Sequence, residues 1–180
     1  EQLQPVGGVY KKLNGFSEFE KWGYKEDCGS RGIKTDDISK DDLRFRVKGK
    51  FTTDVIKWFE SRKNRETTFE REFIEELVED HGFDKNIFSS KTFREVHKVM
   101  KIFNYSDFHQ CHEVLIYDIV EFIPTKEQEQ ELKKLLEIPR KLADGFMIVD
   151  ISEIERLVVL ENEDQIAKIG AHTKYLINEK

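Results

Sequence analysis

The stretch Arg71-Glu72-Phe73-Ile74-Glu75-Glu76-Leu77 says more about the fold than any other part of this 180-residue chain. On an α-helix, which turns by roughly 100° per residue, its glutamates fall on one arc and its apolar residues on another. The sequence therefore predicts a helix that buries one side and presents carboxylates on the other. Carboxylate oxygens suit Mg²⁺ or Mn²⁺, and the alternative is an acidic face that is merely solvated.

A second motif, Pro5-Val6-Gly7-Gly8, stands near the start of the chain. Taken together and in this order, the two motifs resemble the Nudix box, G-x5-E-x7-R-E-U-x-E-E-x-G-U, where U is a bulky aliphatic residue. The second half of the box is matched by Arg71, Glu72, Phe73, Glu75 and Glu76. The resemblance implies that Glu72, Glu75 and Glu76 bind Mg²⁺ or Mn²⁺ and serve as catalytic groups. It also implies a structural role for Arg71, which would orient these carboxylates.

The chain departs from the box in its spacing and at its first glutamate. Gly8 and Arg71 lie 63 positions apart, far more than the pattern has, so residues 14–62 are predicted to be an insertion before the box helix. Lys63 stands where the upstream glutamate belongs, and Glu66 is the nearest acid. These departures argue against ordinary hydrolysis while the metal-binding carboxylates stay in place.

Shorter motifs along the whole chain are similar, in their order, to the SMODS-associated Nudix domain of bacterial antiphage operons, the CBASS systems. They are Gln4–Lys11, Asp42–Phe45, Trp58-Phe59, Arg65-Glu66, Arg71–Leu77 and Ala171–Thr173. In such operons a synthase makes a cyclic oligonucleotide and an effector responds to it. The resemblance implies that residues 1–180 are a single Nudix-like domain excised from a longer protein. A membrane-spanning segment would precede it and hold it at the cytoplasmic face.

The apolar pattern predicts an α/β fold, and the resemblance narrows this to a Nudix-like α/β/α sandwich with a mixed sheet. Strands are predicted at residues 1–13, 43–47, 93–103, 112–123 and 145–151. Helices are predicted at residues 54–62, from Thr67 or Thr68 to Asp80, at 127–137 and at 162–177. The third of these would face inward with Leu132, Leu135 and Leu136. The last would be capped by Asn162, and its core-facing residues would be Ile166, Ile169, Thr173, Leu176 and Ile177. Residues 14–42, rich in glycine and charge, are predicted to form a long loop with short elements.

Composition limits the classes of partner. A net charge of −6 and a pI near 5.5 argue against binding of polymeric nucleic acid, which favours a basic face. Fourteen phenylalanines argue against disorder. Cys28 and Cys111 lack the spacing of a zinc site and are expected to stay reduced. No apolar run is long enough to span a membrane.

Candidate phosphate contacts lie in two places. The glycine turn Gly7-Gly8 offers backbone N–H groups, and the predicted strand 43–47 carries Arg44 and Arg46. Arginine forks bind phosphate through charge-assisted hydrogen bonds. The alternative for both arginines is an ion pair with the neighbouring acids Asp41 and Asp42.

Candidate stacking residues are Trp22 and Tyr24, which stand in the polar stretch before the box helix. Aromatic rings bind bases by stacking. Trp58 is expected in the core instead, because it shares one side of the predicted helix 54–62 with other apolar residues. His172 is expected to be structural, with a ligand role as its alternative.

Two functions from different classes remain open. One is a sensor that binds a cyclic oligonucleotide or another small nucleotide, without requiring Mg²⁺, and changes its assembly into a homo-oligomer or activates an attached part. The other is a Mg²⁺-dependent pyrophosphohydrolase acting on a nucleoside diphosphate derivative. A cyclic oligonucleotide contains no pyrophosphate, and Lys63 replaces a box glutamate, so the sequence favours the sensor.

Overall fold

Alternating apolar residues and capped helices give this chain a mixture of strands and short helices. The computed structural model describes residues 2–13, 17–27, 39–79, 83–141, 145–162 and 164–177. Within these stretches the strands are β1 (Gln2–Leu3), β2 (Lys25–Glu26), β3 (Phe45–Arg46), β4 (Phe93–Ser106), β5 (Cys111–Phe122), β6 (Val158–Glu161) and β7 (Asp164–Ile169). The α-helices are α1 (Glu18–Lys21), α2 (Thr52–Glu60), α3 (Glu70–Phe73), α4 (Lys126–Leu135) and α5 (Ile151–Arg156).

The chain divides into two compact units. The first unit is Glu1–Gly7, Phe69–Val99 and Tyr117–Lys180, and the second is Gly8–Thr68 and Met100–Ile116. The predicted insertion, residues 14–62, falls within the second unit as far as it is described. That residues 1–180 form one domain stays a prediction.

A mixed three-stranded sheet in the first unit confirms the predicted kind of sheet. Its order is β1-β7-β6, with β1 parallel and β6 antiparallel to β7. Val159, Ala167 and Ile169 form its buried centre. The α/β/α layering of a full sandwich stays a prediction.

The predicted strands 93–103 and 112–123 are confirmed as β4 and β5, which pair with each other as a long hairpin. The predicted helix 54–62 is confirmed as α2, which buries Trp58 and Phe59 in the core of the second unit. The core placement of Trp58 is therefore confirmed. Period-two and period-3.6 patterns of apolar residues are strong signals when the segment is long.

The predicted helix 127–137 is confirmed as α4, but it ends at Leu135. Leu132 packs in the first unit as expected. Leu136 was expected to face inward and is 66% exposed instead, because it lies beyond the last helical turn.

The predicted buried strand 145–151 is wrong. Ile151 is the first residue of α5 and is 64% exposed. Asp150 caps this helix, since its side chain accepts from Glu153 N while Glu153 Oε2 accepts from Asp150 N. This reciprocal capping box satisfies two backbone donors and outweighs the strand preference of the apolar run.

The predicted helix 162–177 is also wrong. Its residues form β7 and then a 3₁₀-helix, Ala171–Leu176. Asn162, expected to cap a helix, has a φ of +50° in the turn between β6 and β7. Asparagine tolerates this conformation, so the chain reverses there into a hairpin.

Three predicted boundaries change. Residues 1–13 contain the short β1 and two isolated bridges, Lys11 to Asp42 and Lys12 to Arg65. The strand predicted over 43–47 is paired only in β3, at Phe45–Arg46. The N-cap position of the box helix is Phe69, which makes no side-chain capping hydrogen bond, and not Thr67 or Thr68. The predicted end of this helix at Asp80 lies outside the described residues.

In the described part of the chain, no helix combines the length and the apolar character needed to cross a membrane. Cys111 is a free thiol, and Cys28 lies outside the described residues.

Candidate functional site

The acidic stretch forms a helix whose geometry changes part of the way along. Glu70–Phe73 is α-helical, and Ile74–Glu79 continues as a π-helix, whose hydrogen bonds span five residues. Phe73 and Val78 are buried against Phe88, so the helix is anchored by its apolar side as predicted. Short π-helical segments within helices are frequent at functional sites.

One guanidinium holds two of the box carboxylates. Arg71 Nη1 lies 2.6 Å from Glu72 Oε1 and 2.9 Å from Glu75 Oε2. The side chains of Arg71 and Glu72 are each 22% exposed and that of Glu75 is 37% exposed. Charge-assisted contacts in such partly dry surroundings fix the orientation of both partners. Arg71 thus contacts the carboxylates directly, and its part in function stays a prediction.

The third box carboxylate ties the glycine turn to the helix. Gly7 N–H donates to Glu76 Oε2 at 3.0 Å, although these residues are 69 positions apart. Gly7 has a φ of +144°, a conformation that glycine adopts without the strain a side chain would add. The two motifs that carried the resemblance therefore meet within the first unit.

These contacts decide how well the three carboxylates fit a divalent cation. Mg²⁺ and Mn²⁺ need several oxygen ligands that converge on one point. Glu72 and Glu75 face a guanidinium, while Glu76 accepts from Gly7. The described residues contain no group of three or more His, Cys, Asp or Glu side chains placed to hold a metal ion. In the described residues the three carboxylates do not converge on one point, and metal binding by Glu72, Glu75 and Glu76 stays a prediction.

The two arginines predicted to meet phosphates are ion-paired. Arg44 Nη2 pairs with Asp42, which is one of the two alternatives that the sequence left open. Arg46 Nε lies 2.9 Å from Asp27 Oδ1, a partner that the sequence did not indicate. A phosphate at either arginine would compete with an aspartate already in place.

Trp22, predicted to lie in a polar loop open to a base, is a core residue of the second unit. It is 5% exposed. Its ring centroid lies 5.7 Å from that of Phe19 and 5.7 Å from that of Trp58. The stacking role assigned to Trp22 is wrong, because neighbouring aromatic rings cover the surface that a base would need.

Tyr24 is half-buried beside the same core. Its ring centroid lies 5.3 Å from that of Phe19, and its hydroxyl accepts from Lys12 Nζ at 3.0 Å. Burial acts to lower the pKa of Lys12, but the Tyr24 hydrogen bond and the Asp41 charge outweigh it and raise the pKa. The contacts of Tyr24 are therefore internal to the second unit.

Glu66, the acid nearest to the position of the upstream box glutamate, is also hydrogen-bonded. Glu66 Oε2 accepts from Lys11 N at 3.1 Å, and Glu66 N donates to Lys11 O at 2.8 Å. Lys63 and Gly8 are exposed. All four residues belong to the second unit, whereas the box helix belongs to the first.

Sequence reasoning missed a group of three aromatic rings in the first unit, Tyr117, His172 and Tyr175. Their centroids are 5.4 Å apart for Tyr117 and His172, 5.1 Å for Tyr117 and Tyr175, and 6.0 Å for His172 and Tyr175. The one available signal is the spacing of three between His172 and Tyr175, which a predicted α-helix also permits. Recognising a 3₁₀-helix there would have indicated the stack.

A cavity of about 480 Å³ also lies in the first unit. Its wall includes Arg140 and Glu153, joined by two hydrogen bonds of 2.7 and 2.9 Å. Arg140 Nη2 also donates to Leu160 O at 2.8 Å. The cavity has no wall residue among those predicted as site residues.

Comparisons with known proteins agree with the two motifs that meet at Gly7 and Glu76. No curated protein and no solved structure matches the chain. The family model described as the SMODS-associated NUDIX domain matches residues 1–177. Because this match covers nearly the whole chain, the protein belongs to the SMODS-associated NUDIX domain family.

Proposed function

We propose that this domain binds a cyclic oligonucleotide as the nucleotide-sensing part of a CBASS-type antiphage effector. Its response would be a change of assembly or activation of an attached part, and it would not depend on turnover. Family membership supports a small nucleotide ligand. The net charge of −6 allows a compact ligand with few phosphates, whereas duplex binding needs an extended basic face.

The contacts of the box carboxylates are the observation that carries this proposal. Nudix domains generally use divalent metals. Here Arg71 is ion-paired with both Glu72 and Glu75, and Glu76 accepts the hydrogen bond of Gly7 N–H. Carboxylates engaged in this way act as structural supports, which suits a protein that binds a nucleotide without cleaving it.

The chemistry of a cyclic oligonucleotide agrees with the replacement of the upstream box glutamate. Nudix-type cleavage acts on a pyrophosphate, and a cyclic oligonucleotide has only phosphodiesters. Lys63 stands at the position of the upstream glutamate, and the neighbouring acid Glu66 is bonded to Lys11. Arg44 and Arg46 stay candidates for the phosphates, each by exchanging an aspartate for a phosphate oxygen of similar geometry.

Calorimetric titration with cyclic di- and trinucleotides tests the proposal. We expect at least one to bind in the micromolar range or tighter, equally well in Mg²⁺ and in EDTA. Affinity should fall only modestly with salt, because few phosphates are neutralised. Failure of every member at high micromolar concentration, on folded protein and under both conditions, would remove the sensor function.

The intact order of Arg71, Glu72, Glu75 and Glu76 favours a second candidate, a Mg²⁺-dependent pyrophosphohydrolase. Glu76→Gln separates the two, because glutamine keeps an oxygen acceptor for Gly7 N–H while it removes the charge. The sensor should keep its nucleotide affinity in this variant. A hydrolase would release nucleoside monophosphate from nucleoside diphosphate sugars with Mg²⁺ and lose that activity in Glu76→Gln.

A further inference from the structure

The three aromatic rings missed by sequence reasoning are arranged as a layer. His172 and Tyr175 are nearly parallel, with an interplanar angle of 21°, and Tyr117 is tilted by 39° to His172 and by 48° to Tyr175. His172 is exposed, whereas both tyrosines are half-buried. The tyrosines therefore support an imidazole that is open to solvent.

Local geometry explains why these rings meet. His172 and Tyr175 stand three apart in the 3₁₀-helix Ala171–Leu176, where side chains at i and i+3 eclipse each other. Tyr117 reaches them from β5. The layer is thus held by one helical turn and one strand, two backbone elements that fix its position.

The sheet places this layer at the same edge as the Gly7 turn. Strands β1 and β7 are parallel, and their last residues, Leu3 and Ile169, are register partners. Gly170 N donates to Leu3 O at 2.8 Å just beyond that pair. From this edge one segment leads to Gly7 and the other to His172. Ligands of open α/β sheets bind outside the carboxyl ends of strands.

The side chain of Gln4, in the segment after β1, lies against Gly170, in the segment after β7. A Cβ at Gly170 would lie 2.3 Å from the side-chain oxygen of Gln4. This oxygen is at the far end of a flexible and exposed side chain, so the amide of Gln4 would turn aside to make room for a Cβ. The following residue pair, Ala171 and His172, is exposed.

We propose that Tyr117, His172 and Tyr175 form the surface on which a base of the nucleotide ligand stacks. This inference rests on the proposed function and supplies the aromatic contact that buried Trp22 does not make. The base stacks on the exposed imidazole, and the two tyrosines hold that ring in place. Stacking on a π face accepts any base, so the layer selects for a nucleotide and leaves the choice of base to other contacts.

The first test compares probes with and without a base. Nuclear magnetic resonance of the histidine ring C–H groups is recorded during titration with AMP, with GMP and with ribose 5-phosphate. We expect both mononucleotides to shift the His172 signals by ring current. Ribose 5-phosphate should shift them far less, and the signals of His109 and His112 should not move.

The second test uses variants, with calorimetry of a cyclic dinucleotide as the measurement. His172→Ala should weaken binding by about five- to a hundred-fold, the range expected for one lost stack, and His172→Phe should restore most of it. His112→Ala is the matched control, because His112 also lies against a tyrosine, Tyr105, but edge-on at 73° in the second unit. Thermal unfolding shows whether each variant is folded.

The outcomes separate this inference from the proposed function. Wild-type affinity for cyclic dinucleotides in folded His172→Ala and Tyr175→Ala would overturn the stacking surface and leave the sensor standing. A base-dependent shift at His172 without binding of any cyclic oligonucleotide would support the surface and overturn the sensor. If no base-bearing probe shifts His172, the stacking surface is wrong.

Discussion

Gly7 is constrained both by its backbone conformation and by a hydrogen bond to the box helix. Its φ of +144° suits glycine, and its N–H donates to Glu76 at 3.0 Å. The space around it is open, since a Cβ would meet nothing within 4 Å. Any cost of a side chain at this position would therefore come from the backbone and not from a clash.

Gly7→Ala is expected to destabilise the protein by about 1–3 kcal/mol, the usual cost of an L-residue held in a strained conformation. The matched control is Gly49→Ala, where a Cβ also meets nothing within 4 Å and φ is not positive. That change should be neutral or stabilise the protein by up to about 1 kcal/mol. Urea unfolding measures both, and equal effects would show that the conformation of Gly7 carries no strain.

Arg65, a residue of one of the short family motifs, is buried in the second unit. It is 3% exposed, with its guanidinium 3.9 Å from the ring centroid of Phe59 and 4.8 Å from that of Tyr10. Arg65 Nε donates to Phe59 O at 2.8 Å and Nη1 to Glu66 O at 2.7 Å. A buried cation needs such partners to offset lost hydration. The contacts make Arg65 a structural residue of the second unit.

Capping boxes set the start of the two helices that follow the hairpin. In α4, Thr125 Oγ1 accepts from Gln128 N at 3.2 Å and Thr125 N donates to Gln128 Oε1 at 2.9 Å. Gln128 also donates through Nε2 to Ile87 O at 2.9 Å and to Ser90 O at 2.6 Å. With 1% exposure, this one side chain caps its helix and fastens the helix to a neighbouring segment.

Gln128→Glu should therefore destabilise the protein by about 3 kcal/mol or more. The change removes the donor to two carbonyl oxygens and sets a carboxyl group against them, and buried groups without partners are costly. Gln130→Glu, at an exposed position of the same helix, should change stability by less than about 0.5 kcal/mol. Urea unfolding of both variants checks the difference, and similar midpoints would contradict the role of Gln128.

The cap of α5 acts in the same way with a charged residue. Asp150 accepts from Glu153 N at 2.9 Å and from Ser152 Oγ at 2.8 Å. The hydrogen bond from Glu153 N, followed by that from Ser152, holds the pKa of Asp150 below its ordinary value. A lowered pKa means that this cap stabilises α5 at neutral pH and that the stabilisation is lost in acid.

At the scale of the whole molecule, the hairpin of β4 and β5 contributes residues to both units. The chain has two tryptophans, Trp22 and Trp58, and both are buried in the second unit. Their fluorescence therefore reports on the second unit, whereas far-ultraviolet circular dichroism reports on the backbone of both.

We expect Gln128→Glu, a change in the first unit, to shift the fluorescence and dichroism midpoints by the same amount. Two units that share hydrogen-bonded strands should unfold in one cooperative transition, as one domain does. Gln130→Glu should leave both midpoints in place. A fluorescence midpoint that stays fixed while the dichroism midpoint falls would show that the units unfold separately.

Much of the fold was predictable wherever the signal was local. The hairpin strands, α2 and α4 follow from periodic apolar residues, and the box helix buries Phe73 and Val78 on the expected side. The resemblance also placed the glycine turn and the acidic helix in one box, and Gly7 N–H does donate to Glu76. Local periods and caps act over a few residues, so they can be read without knowledge of distant partners.

The sequence by itself determined the family, the acidic helix and the long hairpin, because each depends on patterns of residues that are close together in the chain. The tertiary structure decided the segment 162–177, where Ile166, Ile169 and Thr173 have the spacing of a helical face, but Ala167 and Ile169 are the buried residues of a strand. Pairing of β7 with β6 in a hairpin and with β1, far away in the chain, stabilises the strand. It also decided that Trp22 is core and that His172 lies on a tyrosine layer, since burial and ring contacts depend on partners that local sequence does not contain.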